Sequence, residues 1–192
     1  MSYEEDTRKK LLRDVEATMV PSGDKVTLVA GNIAQITQSL GGNYTVIING
    51  NMAQISADNA DALGIKIKKS GNNDAVSEFS EQLVWDQLKT CYDPEIPVNI
   101  VELGLIYDMS IENGKNGKKI IIKMTLTAPG CGMGPVIADE VDRKIGALQD
   151  VESVNVELVW EPQWVVEGAM IYYEGNRHHM GLLYLVNYSM RI

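Results

Sequence analysis

The chain has 192 residues, of which 45% are hydrophobic, 22% charged and 6% aromatic, and its formal charge is -9. That is enough for one large or two small cores, and no run approaches the roughly 18 apolar residues of a membrane span, so a cytoplasmic protein without membrane contact is expected. Residues 1–70 hold 8 Lys+Arg against 8 Asp+Glu, which leaves 9 against 18 of the totals 17 and 26 for residues 71–192, an acidic balance that argues against a nucleic-acid partner.

After a short basic lead-in, residues 20–64 alternate apolar and polar positions between turn signals, as in Val26, Leu28 and Ala30 and in Tyr44, Val46 and Ile48. Short strands are the expectation. Asn49-Gly50 is a type I′ hairpin signal, and the stretch from Ser56 to Gly64 predicts a brief helix capped by Ser56 and stopped by Gly64. The glycines of "SLGGNY" lack the Lys-Ser/Thr and the strand-loop-helix setting of a phosphate loop, so nucleotide binding is rejected. "KIKKSGNND", residues 66–74, loses all periodicity and reads as a linker. The expected division is a small β-rich module over 1–70, a second domain over 71–164 and a tail over 165–192.

From Val76 the period lengthens: Val76, Phe79, Leu83, Val84, Leu88 and Cys91 fall on one helical face and predict a helix ending near Cys91. Asp93-Pro94 is a helix or turn opener. Residues 105–128 then give two strands joined by an Asn/Gly-rich turn at 113–117, an antiparallel hairpin. In its second strand Ile120, Ile122, Met124, Leu126 and Ala128 point one way, and Lys123, Thr125 and Thr127 form a more polar face. Past Cys131 a helical stripe runs through Met133, Ile137, Val141, Ile145 and Leu148. Val154, Val156, Leu158 and Trp160 mark a third strand, parallel to the strand before the helix by the right-handed crossover rule. The order α-β-β-α-β makes the second domain a two-layer sandwich and the whole chain α+β.

Three stretches, "YDPEIPVNIVELGLIYDMSI", "MTLTAPGCGMGP" and "VNVELVWEPQW", resemble the SufT-type iron-sulfur cluster assembly proteins. Their core domain also occurs in accessory proteins of the PaaD kind and in a cytosolic iron-sulfur targeting factor. The resemblance spans residues 76–164, and residues 20–64 resemble the additional amino-terminal module of SufT proteins. It implies a non-enzymatic role in maturing or delivering iron-sulfur clusters, with the cysteine of the "PGC" loop, here Cys131, as the functional residue. The "DPEIP" run carries over as Asp93, Pro94, Glu95, Ile96 and Pro97. The tail from Val165 does not match.

Only two cysteines, Cys91 and Cys131, occur, in no CxxC or finger-like spacing. Cys131 lies in a loop expected to open a helix, where backbone N–H groups and the positive end of the helix dipole favour a thiolate, with Gly130 and Gly132 letting a ligand come close. The plainer alternative is a small residue tolerated in a tight turn. Cys91, on an apolar stripe near a helix end, is expected to be buried and inert. Asp93 and Glu95 either hold a metal or position a partner, the plainer alternative being that Asp93 before Pro94 is a routine cap, and Thr127 either bonds the loop or is simply a strand residue. His178 and His179, the only histidines, read as solvated rather than as metal ligands.

A cluster wants about four thiolate-like ligands and this chain offers one plausible thiolate, so any iron or cluster is expected to be transient and shared, through a homodimer, a scaffold or recipient protein, or a small thiol. Two other readings stay open here: a thiol enzyme with Cys131 as nucleophile, and an adaptor whose thiol is incidental.

Overall fold

Turn chemistry sets the first half of the molecule. The computed structural model describes residues 7–66 and 78–164; most of the expected linker, Val76, the tail and both histidines lie outside the described residues. Asn49 and Gly50 both take positive φ, 50° and 79°, the type I′ geometry whose twist matches two flanking strands. Six strands form one antiparallel sheet: β1 (Arg8–Lys10), β2 (Val15–Val20), β3 (Lys25–Leu28), β4 (Ile33–Leu40), β5 (Asn43–Ile48) and β6 (Asn51–Ile55), in the spatial order β1-β4-β5-β6-β2-β3. The brief helix is a 3₁₀ helix over Ala57–Leu63, stopped by Gly64 in the left-handed region as expected. Ser56 makes no side-chain cap bond; its hydroxyl instead accepts from the Asn59 side-chain amide at 3.3 Å. Leu11, Val15, Val46, Ile48, Ala53, Ile55 and Leu63 close the core of this sheet. Ala30 is exposed because β3 ends at Leu28.

The second half carries α1 (Glu81–Leu88), β7 (Ile106–Asn113), β8 (Lys118–Met124), α2 (Gly134–Gly146) and β9 (Val151–Leu158). Helix α1 is shorter than its apolar stripe, because Ser80 accepts the Leu83 N–H and starts the helix there, and Phe79 stays ahead of it. Strands β7 and β8 pair antiparallel, and β8 pairs β9 in parallel with Ile120 opposite Val154 and Ile122 opposite Val156. The parallel pair follows the crossover through α2 that the sequence order requires. Val84, Leu88, Ile120, Ile122, Met124, Ile137, Val141 and Ile145 meet in the second core, so the α+β sandwich stands as expected.

The expected strand alternation breaks after Met124. There the chain leaves the sheet, Thr125 gives its N–H to the Leu105 carbonyl at 2.8 Å and is buried, and Ala128 is exposed. Trp160, beyond the end of β9, is 42% exposed rather than a strand residue facing the core. Among the described residues no helix is long and apolar enough to cross a membrane.

The two sheets are joined by a polar interface with few exposed groups. Gln38 Nε2 donates to the Asp93 carbonyl at 2.9 Å and the buried Thr45 hydroxyl to the Pro94 carbonyl at 3.1 Å. Asn43 Nδ2 donates to Glu140 Oε2 at 2.8 Å, and Lys144 Nζ donates to the carbonyls of Gly41 (3.0 Å) and Thr90 (2.6 Å). Lys144 Nζ also lies 2.7 Å from Glu140 Oε1. Val20, from β2, is packed in the core of the second half. These bonds carry an expectation for the polar linker of residues 66–74: a protease that cuts there should leave two fragments that co-elute on size exclusion under native conditions. Fragments that separate at once would mean that the interface is too weak to hold the halves together.

Candidate functional site

The chain between β8 and α2 is built to turn sharply. Gly130 adopts φ 77°, which a side chain disfavours, and the space beside it is open. Cys131 follows, half-buried, with its N–H donated to the Ala128 carbonyl at 3.3 Å and its carbonyl accepting from Gly134 N–H at 3.1 Å. Ala128, Pro129 and Gly130 are exposed. Helix α2 is capped by Met133, with Pro135 in its first turn and neither an acidic side chain nor a side-chain cap there. Cys131 therefore stands two residues ahead of the cap instead of being the cap, and Met133 already has helical backbone angles, φ -76° and ψ -10°.

Gly132 has a different reason for being glycine. A Cβ there would overlap the carbonyl of Ser22, and a Cβ on Gly23 would overlap the carbonyl of Gly132. The gap beside Gly132 is thus filled by the β2–β3 turn of the same chain and is not an opening for a ligand, while the Gly130 side is open.

The other expected residues sort by environment. Asp93 is buried, and its Oδ1 accepts the N–H groups of Glu95 (2.8 Å) and Ile96 (2.9 Å), so its carboxylate is used by its own turn, the capping role. Glu95 is exposed and Thr127 half-buried. Among the described residues no three His, Cys, Asp or Glu side chains gather closely enough to hold a metal ion, so Asp93 and Glu95 do not complete such a group with Cys131.

Cys91 is buried just past α1, its thiol 3.8 Å from the Gln87 carbonyl. Burial pushes this thiol up to about 12 from an ordinary 9.0, against an opposing pull from Lys144 and with a small push from Glu140. The folded thiol stays protonated where the unfolded one ionises, so the stability from its burial is complete below about pH 9 and is lost as pH rises towards 12. Wild type should lose on the order of 2 kcal/mol more than Cys91→Ala between about pH 9 and pH 11 in urea titrations. Parallel pH profiles for the two proteins would show that Cys91 is not so enclosed.

Missing from the sequence reading were Gly23, Gln38 and Thr45, which bring the amino-terminal sheet against the loops of Cys131 and Asp93. "PSGD" is made of turn-forming residues, but nothing in it names the second glycine that it touches.

The family model described as iron-sulfur cluster assembly protein matches residues 81–158. An Fe-S protein maturation auxiliary factor of Porphyromonas gingivalis is 40% identical over 85 residues, which are 44% of this chain and 78% of that protein. The Fe-S protein maturation auxiliary factor YitW of Bacillus subtilis is 38% identical over 90 residues, 46% of this chain and 84% of that protein. The Fe-S protein maturation auxiliary factor SufT of Staphylococcus aureus is 36% identical over 72 residues, 38% of this chain and 78% of that protein. The first two relatives have few residues outside the shared stretch, too few for a second sheet of the size found here.

Proposed function

Because this chain belongs to the family of iron-sulfur cluster assembly proteins, we propose that it is an accessory factor in iron-sulfur protein maturation in which Cys131 makes the transient contact with iron or a cluster. The observation that carries the reading is the position of the thiol: half-buried, on a sharp loop with an exposed, glycine-opened side, and next to the amino end of α2, where no side chain makes a cap bond. The first turn of a helix carries backbone N–H groups without intrahelical partners and the positive end of its dipole, which attract anionic cargo. One thiolate is about a quarter of what a cluster needs, so the cargo is shared with a second copy, a scaffold or recipient protein's cysteines, or a small thiol. Sharing makes the contact easy to break, which suits delivery better than electron transfer.

The likeness to proteins named maturation auxiliary factors favours a carrier over an enzyme. A thiol nucleophile is generally activated by a base within hydrogen-bond reach, and the only histidines, His178 and His179, belong to the tail outside the described residues. The division into a module over 1–70, a cluster-handling domain over 71–164 and a tail belongs to this proposal, as does a cytoplasmic setting. In cells depleted of the protein and limited for iron, cluster-containing enzymes should lose activity while enzymes without clusters keep theirs. Full cluster occupancy in the depleted cells would overturn the reading.

A further inference from the structure

We propose that the amino-terminal sheet is the positioning element of the Cys131 loop: its β2–β3 turn holds the Gly132 side of the loop, and partners reach the thiol from the side of Ala128 to Gly130. The proposal rests on the reading of Cys131 as the cargo contact.

The turn is itself firmly built. Gly23 N–H donates to the Met19 carbonyl and Met19 N–H to the Asp24 carbonyl, both at 2.8 Å, and the Ser22 hydroxyl accepts from Asp24 N–H at 3.4 Å. Against it lies Gly132, backbone on backbone, with no room for a Cβ on either glycine. Contact of this kind leaves no flexible side chain to absorb a shift, so a displacement of one backbone moves the other. The second hold is on the neighbouring loop, where Gln38 and Thr45 donate to the carbonyls of Asp93 and Pro94. The third is the buried pair of Glu140 and Lys144 on α2, bonded to Asn43 and Gly41. The loop after β8, the Asp93 turn and helix α2 are therefore all gripped by one sheet. On the free side, Ala128, Pro129 and Gly130 are exposed, and nothing lies within 4 Å of where a Gly130 side chain would be. The shorter relatives lack residues for such a sheet, so the grip is a property of chains built like this one.

Position matters because the thiol must meet ligands of another molecule around one iron, and a misplacement of about 1 Å at a reacting group can cost on the order of 100-fold in rate.

The test uses the full chain, with Cys91 as a built-in reporter of unfolding. Gly23→Ala and Gly23→Asn each put a Cβ into the Gly132 carbonyl, and Asn tolerates the positive φ of 77°, so a shared effect belongs to the contact and not to backbone strain. Gly50→Ala is the control, since Gly50 has a φ of 79° and open space around it. Iodoacetamide labelling of Cys131, read by peptide mass, should accelerate about fivefold or more in both Gly23 variants and cluster transfer to a recipient should slow about tenfold, while Gly50→Ala stays near wild type in both. Folded Gly23 variants, with Cys91 unlabelled, that match wild type in labelling and transfer would overturn the proposal. Should Cys91 become labelled, the double variant Gln38→Ala, Thr45→Val loosens the same grip without adding a Cβ; it should show the same two changes, and wild-type values in it would overturn the proposal equally. Transfer that persists in Cys131→Ser would instead sink the functional reading, and the labelling contrast would still decide the positioning.

Discussion

Replacing Lys144 by Met should destabilise the folded chain by about 3–5 kcal/mol, the cost of leaving a buried charge without its partner. The side chains of Lys144 and Glu140 are 13% and 7% exposed, and the ammonium spends its donors on two carbonyls, Gly41 and Thr90, that come from opposite halves of the molecule. Met keeps most of the aliphatic volume, so the loss is of charge and hydrogen bonds, not of packing. It leaves Glu140 with Asn43 as its one hydrogen-bond donor among the described residues, and two carbonyls unpaired at the interface. In the double variant Glu140→Leu, Lys144→Met no unpaired charge remains, and a large part of the stability should return. Chemical denaturation of the wild type, the single and the double variant measures this directly. A single variant within 1 kcal/mol of wild type would show that water reaches the pair and that the interface is looser than described.

Cys131→Ser should lower activation of a cluster-requiring recipient by about tenfold or more while changing stability by less than about 1 kcal/mol. The sulfur is half-buried and makes no side-chain hydrogen bond among the described residues, so its replacement by a smaller, harder oxygen disturbs little of the fold. As a ligand the change is large, because iron-sulfur chemistry relies on thiolate donors. Cys91→Ala gives the contrast: it removes sulfur from a dry core, should cost stability and should leave activation intact. If activation followed Cys91 and ignored Cys131, the loop thiol would be incidental.

Much of this architecture was legible because it rests on local chemistry. Asn49-Gly50 specifies its own turn, Gly64 ends its own helix, and the apolar stripes of β8, α2 and β9 leave one handed crossover available. Cys131 stood out for the same reason, a thiol where turn glycines explain everything except the sulfur. The docking of the amino-terminal sheet was not legible. Gly132 does not have a positive φ; it is glycine because Ser22, far away in the chain, comes against it, and a single sequence does not distinguish a glycine needed for close approach from one needed for a turn. Asp93 was legible as a cap but not as a point of contact with β4, since the partner atom is a backbone carbonyl that every residue type offers. The burial of Thr125 escaped the alternation rule because the ladder ends one residue earlier, at Met124.

Anaerobic reconstitution with iron and sulfide, followed by absorbance and by the native mass of the complex, tests the claim about Cys131 most directly. The account predicts cluster absorbance only in species that hold more than one chain, or one chain with added small thiol, kept in Cys91→Ala and lost in Cys131→Ser. A cluster retained at the same stoichiometry by Cys131→Ser, or held by a single chain without any added thiol, would contradict it.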